Sequence, residues 1–183
     1  QLLGLNQGQR DALDSQIKGN SKKIAELQRQ QALENMRLFG GGGGVTGGGG
    51  YPWGFAACIH TGQVEGACPN YDWAVGGSIW NPQTGGYGYR NCTDYVSWKI
   101  RSEGRYVPAG LGNANQWDNN YPADNTPSPG DAAVSNAGFY GHVMYVEAVH
   151  GNGTITVSDY NRAGTGKYAT STISASGLSF LSF

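Results

Sequence analysis

Nine of the eleven residues at 40–50, GGGGGVTGGGG, are glycine, and this tract divides the chain into two parts that must be read separately. Glycine loses more conformational freedom on folding than any other residue, so a run of it favours neither helix nor strand. It reads as a flexible linker that decouples what lies on either side. The whole chain has 183 residues, a length that suits one domain plus an appendage.

Residues 1–39 carry six of the twelve Lys and Arg, four of the thirteen acids, many Gln, and no Pro, Cys, Trp or Tyr. Their apolar residues fall at Leu13, Ile17, Ile24 and Leu27, spaced as in a coiled-coil seam, with the polar Asn20 at the intervening seam position. Gly4, Gly8 and Gly19 weaken this helix. The pattern predicts a helical coiled-coil segment. The same spacing also suits an amphipathic helix packed on its own domain.

Residues 51–183 hold all five Trp and all eleven Tyr, with six basic and nine acidic residues, 6 − 9 = −3. Such a segment buries one modest core. Helical signals come early, at 92–103 and 112–119. Strand signals come late, at 131–135, 142–149, 154–160 and 170–174, where short β-branched runs are bounded by turn residues. The turn His150-Gly151-Asn152-Gly153 joins two of them as a hairpin. Helices followed by antiparallel strands predict an α+β fold.

Net charge is −1 and no basic patch stands out, so nucleic acid is not an expected partner. No apolar run approaches the ~18 residues that span a bilayer. The chain opens on Gln1 rather than Met, as expected of a mature or trimmed secreted form.

The cysteines are Cys58, Cys68 and Cys92. An odd number in a secreted protein reads as one disulfide plus one thiol kept for chemistry. Cys58 and Cys68 flank the short, turn-rich segment CIHTGQVEGAC and are the expected disulfide, worth roughly 2–3 kcal/mol by loop closure. A zinc site of Cys58, His60 and Cys68 lacks a fourth ligand at any usual spacing, so no metal and no cofactor is expected.

That leaves Cys92, in YGYRNCTDYVSWKI. Asn91 suits an N-cap and Asp94 a capping-box partner, which puts Cys92 in the first turn of a helix. A helix N-terminus favours a thiolate and offers N–H groups to an oxyanion. The base for such a thiol would be His142, at the start of an apolar strand. If 142–149 and 154–160 pair through the tight turn, the start of one lies beside the end of the other. His142 then approaches Asp159 and Asn161, which share a face.

These pieces occur in an order that resembles the CHAP domain, the cysteine- and histidine-dependent amidohydrolase/peptidase of bacterial cell walls. YGYRNCTDYVSWKI looks like its nucleophile segment, PSPGDAAV at 127–134 like the entry to its first core strand, GHVMYVEAV at 141–149 like its histidine strand, and GTITVSDYN at 153–161 like the strand of its third member. The resemblance implies a papain-like fold, with a Cys-bearing helix on a small antiparallel sheet. It implies Cys92 as nucleophile, His142 as base and then acid, and Asp159 with Asn161 as the third-member cluster. The family often has Glu where this chain has Asp159, which leaves open whether Asp159 or Asn161 orients the histidine. The Cys92 N–H is the expected oxyanion donor, with Gln83 and Tyr87 as upstream candidates for a second. Tyr87 and Trp117 are candidate substrate-binding aromatics, alongside the aromatic stretch at 71–80.

The implied function is a secreted, wall-associated peptidoglycan hydrolase, either an N-acetylmuramoyl-L-alanine amidase or a peptide endopeptidase, acting in wall remodelling or cell separation. The alternatives are another papain-like peptidase of the NlpC/P60 type and a non-catalytic wall-binding scaffold working through its coiled coil. Residues 1–39 are expected to engage a membrane complex or a second copy. The layout of coil, glycine tract and domain raises the expectation that the coil restrains the enzyme.

Overall fold

The computed structural model describes residues 7–40, 44–55 and 80–183. Cys58, His60, Cys68 and the aromatic stretch up to residue 79 lie outside them, and so does the expected disulfide.

The first element is a single helix, α1, Gln7–Phe39. The strands β1 (Trp80–Asn81) and β2 (Tyr87–Gly88) then form a small antiparallel pair. Helix α2, Cys92–Ser102, follows, and the short helix α3, Trp117–Asn120, comes after a 3-10 turn at Ala114–Gln116. Five strands complete the chain: β3 (Ala132–Ser135), β4 (His142–Val149), β5 (Thr154–Tyr160), β6 (Tyr168–Ser174) and β7 (Ser179–Leu181). They make one antiparallel sheet in the order β6-β5-β4-β3-β7. The α+β architecture and the 150–153 hairpin agree with the sequence reading. β7 and the β1–β2 pair are additions to it.

The two-residue period of the strands separates two cores. On one face Ala132, Val134, Val143, Tyr145 and Tyr160 meet Tyr95, Val96 and Ile100 of α2. On the other, Ala133, Met144, Val146, Ile155, Val157, Ile173 and Phe180 are covered by Phe39, the last residue of α1. Full burial of each such side chain contributes roughly 1.5–3 kcal/mol.

Helix α1 is therefore docked at its C-terminal end. Gln31, Asn35 and Phe39 are buried on one side, at spacings of four. Gln31 donates to Ala137 O (2.8 Å) and accepts from the N–H groups of Tyr140 (2.8 Å) and Gly141 (3.2 Å). Asn35 donates to Arg162 O at 3.1 Å. Earlier in the helix the seam residue Ile17 is exposed.

The glycine tract is also less free than its composition suggests. Val45 pairs with Tyr168 as an isolated bridge, and Gly48 O accepts from Tyr160 Oη at 2.8 Å. A Cβ at Gly48 or Gly49 would fall within 2.5 Å of the Tyr168 ring. At 44–50, glycine serves to lay the backbone against aromatic rings, which corrects the reading of a loose connector there.

One buried network ties the segment after the tract to α2. Asp94 has no exposure and accepts from Thr84 Oγ1, from Tyr51 Oη and, at 3.5 Å, from Asn81 Nδ2. Asp94 thus turns inward instead of completing a capping box, and Asn91 makes no side-chain cap bond. Burial raises the Asp94 carboxyl to about 7, against the opposing pull of its hydroxyl donors. Asp94→Ala strands the buried Tyr51 hydroxyl, whereas Thr84 Oγ1 keeps Asn81 O as an acceptor at 3.1 Å. It is expected to lower the unfolding free energy by roughly 1–3 kcal/mol in chemical denaturation.

Candidate active site

Cys92 is the first residue of α2, where the N–H groups of the opening turn have no intrahelical acceptor. It is half-buried and unpaired. The turn before it is held from two sides. Arg90, at a positive φ of 62°, donates from Nε (3.1 Å) and Nη2 (2.9 Å) to Gly166 O. Asn91 Oδ1 accepts from Asn161 Nδ2 at 2.7 Å. Asn161, also at φ 62°, in turn accepts from Gly166 N–H at 2.8 Å. The loop after β5 thus clamps the turn before Cys92, and both polar atoms of the Asn161 side chain are engaged in that clamp.

His142 opens β4 and is almost fully buried. It follows Gly141 at φ 68°, where a Cβ would fall 2.6–2.7 Å from Asn115 N, Asn115 Cβ and Ser135 O. Only glycine lets the chain turn tightly there and present the ring. The ring stacks on Phe39 with centroids 6.0 Å apart. Its Nε2 lies 3.6 Å from Asp159 Oδ2, an ion-pair distance slightly long for a hydrogen bond. Nδ1 is the nitrogen left to face Cys92, whose thiol and the ring shift one another electrostatically.

The electrostatics of the pair follow from this arrangement. Burial pushes the Cys92 thiol up, but the charge and hydrogen bond of His142 and the Val143 N–H outweigh it and hold the thiol below its ordinary value. Burial disfavours a charged His142, yet the thiolate of Cys92 together with Asp159 raises the imidazole to about 9. Both shifts act in the direction that favours a thiolate beside an imidazolium, a nucleophile beside an acid.

Asp159 is completely buried. The same Oδ2 that faces His142 accepts from Arg162 Nε (3.0 Å) and from Arg162 Nη2. Arg162 is the participant that sequence reasoning missed. Its signal was a basic residue three places after the acid, just past the end of the recognised strand.

Two of the sequence candidates lie elsewhere. Tyr87 is buried, donates to Pro108 O (3.0 Å) and accepts from Leu111 N–H (3.3 Å). Trp117 has no exposure and packs on Tyr87 at 5.3 Å. Both are core residues that fix the 108–117 loop, so neither offers a ring to substrate. Gln83 is exposed, and its N–H is committed to Asn81 Oδ1 at 3.1 Å. His150 sits in the distal turn, bonded to Thr156 Oγ1 at 2.9 Å.

Cys92 at a helix start, His142 at a facing strand start and a buried acid behind the ring lie within a segment that matches a known family: residues 82–161 correspond to the CHAP domain. Residues 82–161 are CHAP-like. A probable autolysin of Staphylococcus aureus is 46% identical over 85 residues, which are 43% of this chain and 30% of that protein. An N-acetylmuramoyl-L-alanine amidase of Staphylococcus haemolyticus, sle1, is 40% identical over 80 residues, 41% of this chain and 24% of that protein. The crystal structure of an N-acetylmuramoyl-L-alanine amidase from Staphylococcus aureus is 33% identical, with a TM-score of 0.50 over 52% of this chain and 31% of the other. The chain thus spans less than a third of the length of these relatives. Helix α1 lies outside the segment matched to the CHAP domain.

Gly141→Ala places a side chain at a strained φ against backbone and is expected to cost about 1–3 kcal/mol. The same change at Gly151, where a Cβ meets nothing within 4 Å, is the control. Thermal unfolding of the two variants checks this: only Gly141→Ala should shift the transition downward by several degrees.

Proposed function

We propose that the chain is a peptidoglycan hydrolase that cleaves an amide bond of the bacterial cell wall through Cys92, His142 and Asp159. The observation that carries this reading is Cys92 at the start of α2 together with a buried His142 3.6 Å from the buried Asp159, all within the segment matched to the CHAP domain. The names of the relatives, autolysin and N-acetylmuramoyl-L-alanine amidase, favour the amidase over the endopeptidase and suggest a secreted, wall-associated enzyme.

The Cys92 thiolate attacks the carbonyl carbon, forming a C–S bond and a tetrahedral oxyanion. The N–H groups at the start of α2 lie on the side of the sulfur and stabilise that charge. His142 gives its Nδ1 proton to the nitrogen as the C–N bond breaks and the amine leaves. Water then adds to the thioester, giving a proton to His142. The C–S bond breaks, the acid product departs and the thiolate is restored. Asp159 holds the imidazolium in place throughout.

Digestion of purified peptidoglycan, with fragments read by mass spectrometry, tests the proposal. The wild type should release fragments and Cys92→Ala should release none. New amino termini at L-Ala of the stem peptide would identify the amidase, and shortened cross-links the endopeptidase. A folded wild type that releases nothing from several wall types would leave the scaffold reading instead. The release rate should form a bell against pH. Its acid limb reports thiolate formation and should lie below the ordinary thiol range. Its alkaline limb should fall near pH 9, where His142 loses the proton the leaving amine requires.

A further inference from the structure

Arg162 is the only described cation bonded to Asp159, and it also touches the end of α1. Two of its nitrogens, Nε and Nη2, converge on Asp159 Oδ2. The third, Nη1, donates to Phe39 O at 2.8 Å. Its guanidinium lies 5.9 Å from the centre of the Phe39 ring, the same ring that stacks on His142. Its own carbonyl accepts from Asn35 of α1. Arg162 is itself 2% exposed.

A carboxylate with no exposure stays ionised only if cations or donors meet it. Among the described residues, His142 and Arg162 are the charges that do so. Asp159 Oδ1 and His142 Nε2 are each without a hydrogen-bond partner among the described residues.

We propose that Arg162 is a positioning residue: it fixes the Asp159 carboxylate behind His142, and the docked end of α1 completes its site through the Phe39 carbonyl. The inference rests on the Cys92–His142–Asp159 reading. It also makes α1 a support of the active site, contrary to the restraint that the layout of the chain suggests. The position adjoins the segment matched at 82–161 but depends on residues from outside it. The acid is set by a second side chain.

The test uses the full chain and reads Cys92 directly, so it does not depend on which wall bond is cut. The rate of Cys92 alkylation by iodoacetamide, located by peptide mass mapping, is followed against pH in wild type, Arg162→Met, Asp159→Asn and the double variant. Circular dichroism confirms that each is folded. If Arg162 acts through Asp159, each single change should alter the alkylation rate at pH 7 several-fold and displace its midpoint from the wild-type value. The double variant should depart from wild type no further than the more affected single one. Arg162→Lys, which keeps the charge, should recover part of the wild-type profile. A profile for Arg162→Met that superimposes on wild type overturns the proposal, and so do two effects that multiply in the double variant.

The α1 contribution is tested with Gln31→Ala/Asn35→Ala, which removes the side-chain bonds of the helix to the 137–141 turn and to Arg162. Support by α1 predicts slower alkylation and slower wall digestion, whereas a rise in both would establish restraint and overturn the role given to the helix. If wall digestion is absent in every protein, including wild type, while the alkylation profiles behave as stated, the hydrolase reading fails and the positioning role stands.

Discussion

A buried carboxylate needs compensation on every side, and Asp159 organises this molecule for that reason. It faces His142 across 3.6 Å and Arg162 through two nitrogens. Those charges must be delivered from different parts of the chain: the start of β4, the turn after β5 and, through Phe39, the end of α1. The sheet register, the Gly141 turn and the docked helix can be seen as the means of bringing these groups to one place. The cost of burying three ionisable side chains is offset only if all of them stay paired.

The second constraint is the geometry of the nucleophile turn. Cys92 sits in the first turn of α2, and that turn is fixed by contacts from a loop roughly seventy residues later, Asn161 to Asn91 and Gly166 to Arg90. Two residues in the left-handed region, Arg90 and Asn161, sit at this junction. Backbone strain of this sort, about 1–3 kcal/mol per residue, persists where surrounding bonds over-determine the conformation. On the opposite side, Asp94 anchors the same helix to Tyr51 and Thr84. The sulfur is thus aimed by a helix gripped at both ends of its first turn.

What could be read from the sequence was local. Helix α2 and strands β4 and β5 were legible because each carries a clean period and a clear stop: Asn91 before Cys92, and the 150–153 turn between two β-branched runs. Hairpin register brought His142 near both Asp159 and Asn161 without choosing between them. What was not legible depends on contacts distant in sequence. Asp94 has the spacing of a capping box, but a buried hydroxyl pair offered it a better use. Tyr87 and Trp117 have the composition of a binding groove, and only the packing of the 108–117 loop shows that they are core. Gln31, Asn35 and Phe39 look like unremarkable residues of a polar helix until the sheet face they cover is known. Arg162 lay beyond the end of the recognised pattern, and its role needed the fold.

The central claim is that Cys92 and His142 form a charged pair backed by a buried acid. The most direct measurement is the titration of His142 by NMR in chain labelled at the imidazole, with and without Cys92→Ala. The account predicts that His142 in the wild type keeps its proton through neutral pH and titrates near 9. In Cys92→Ala the thiolate is gone and burial remains, so the midpoint should fall by more than one unit. A His142 that titrates near 6.5 in both proteins would contradict the ion pair, and with it the assignment of the site.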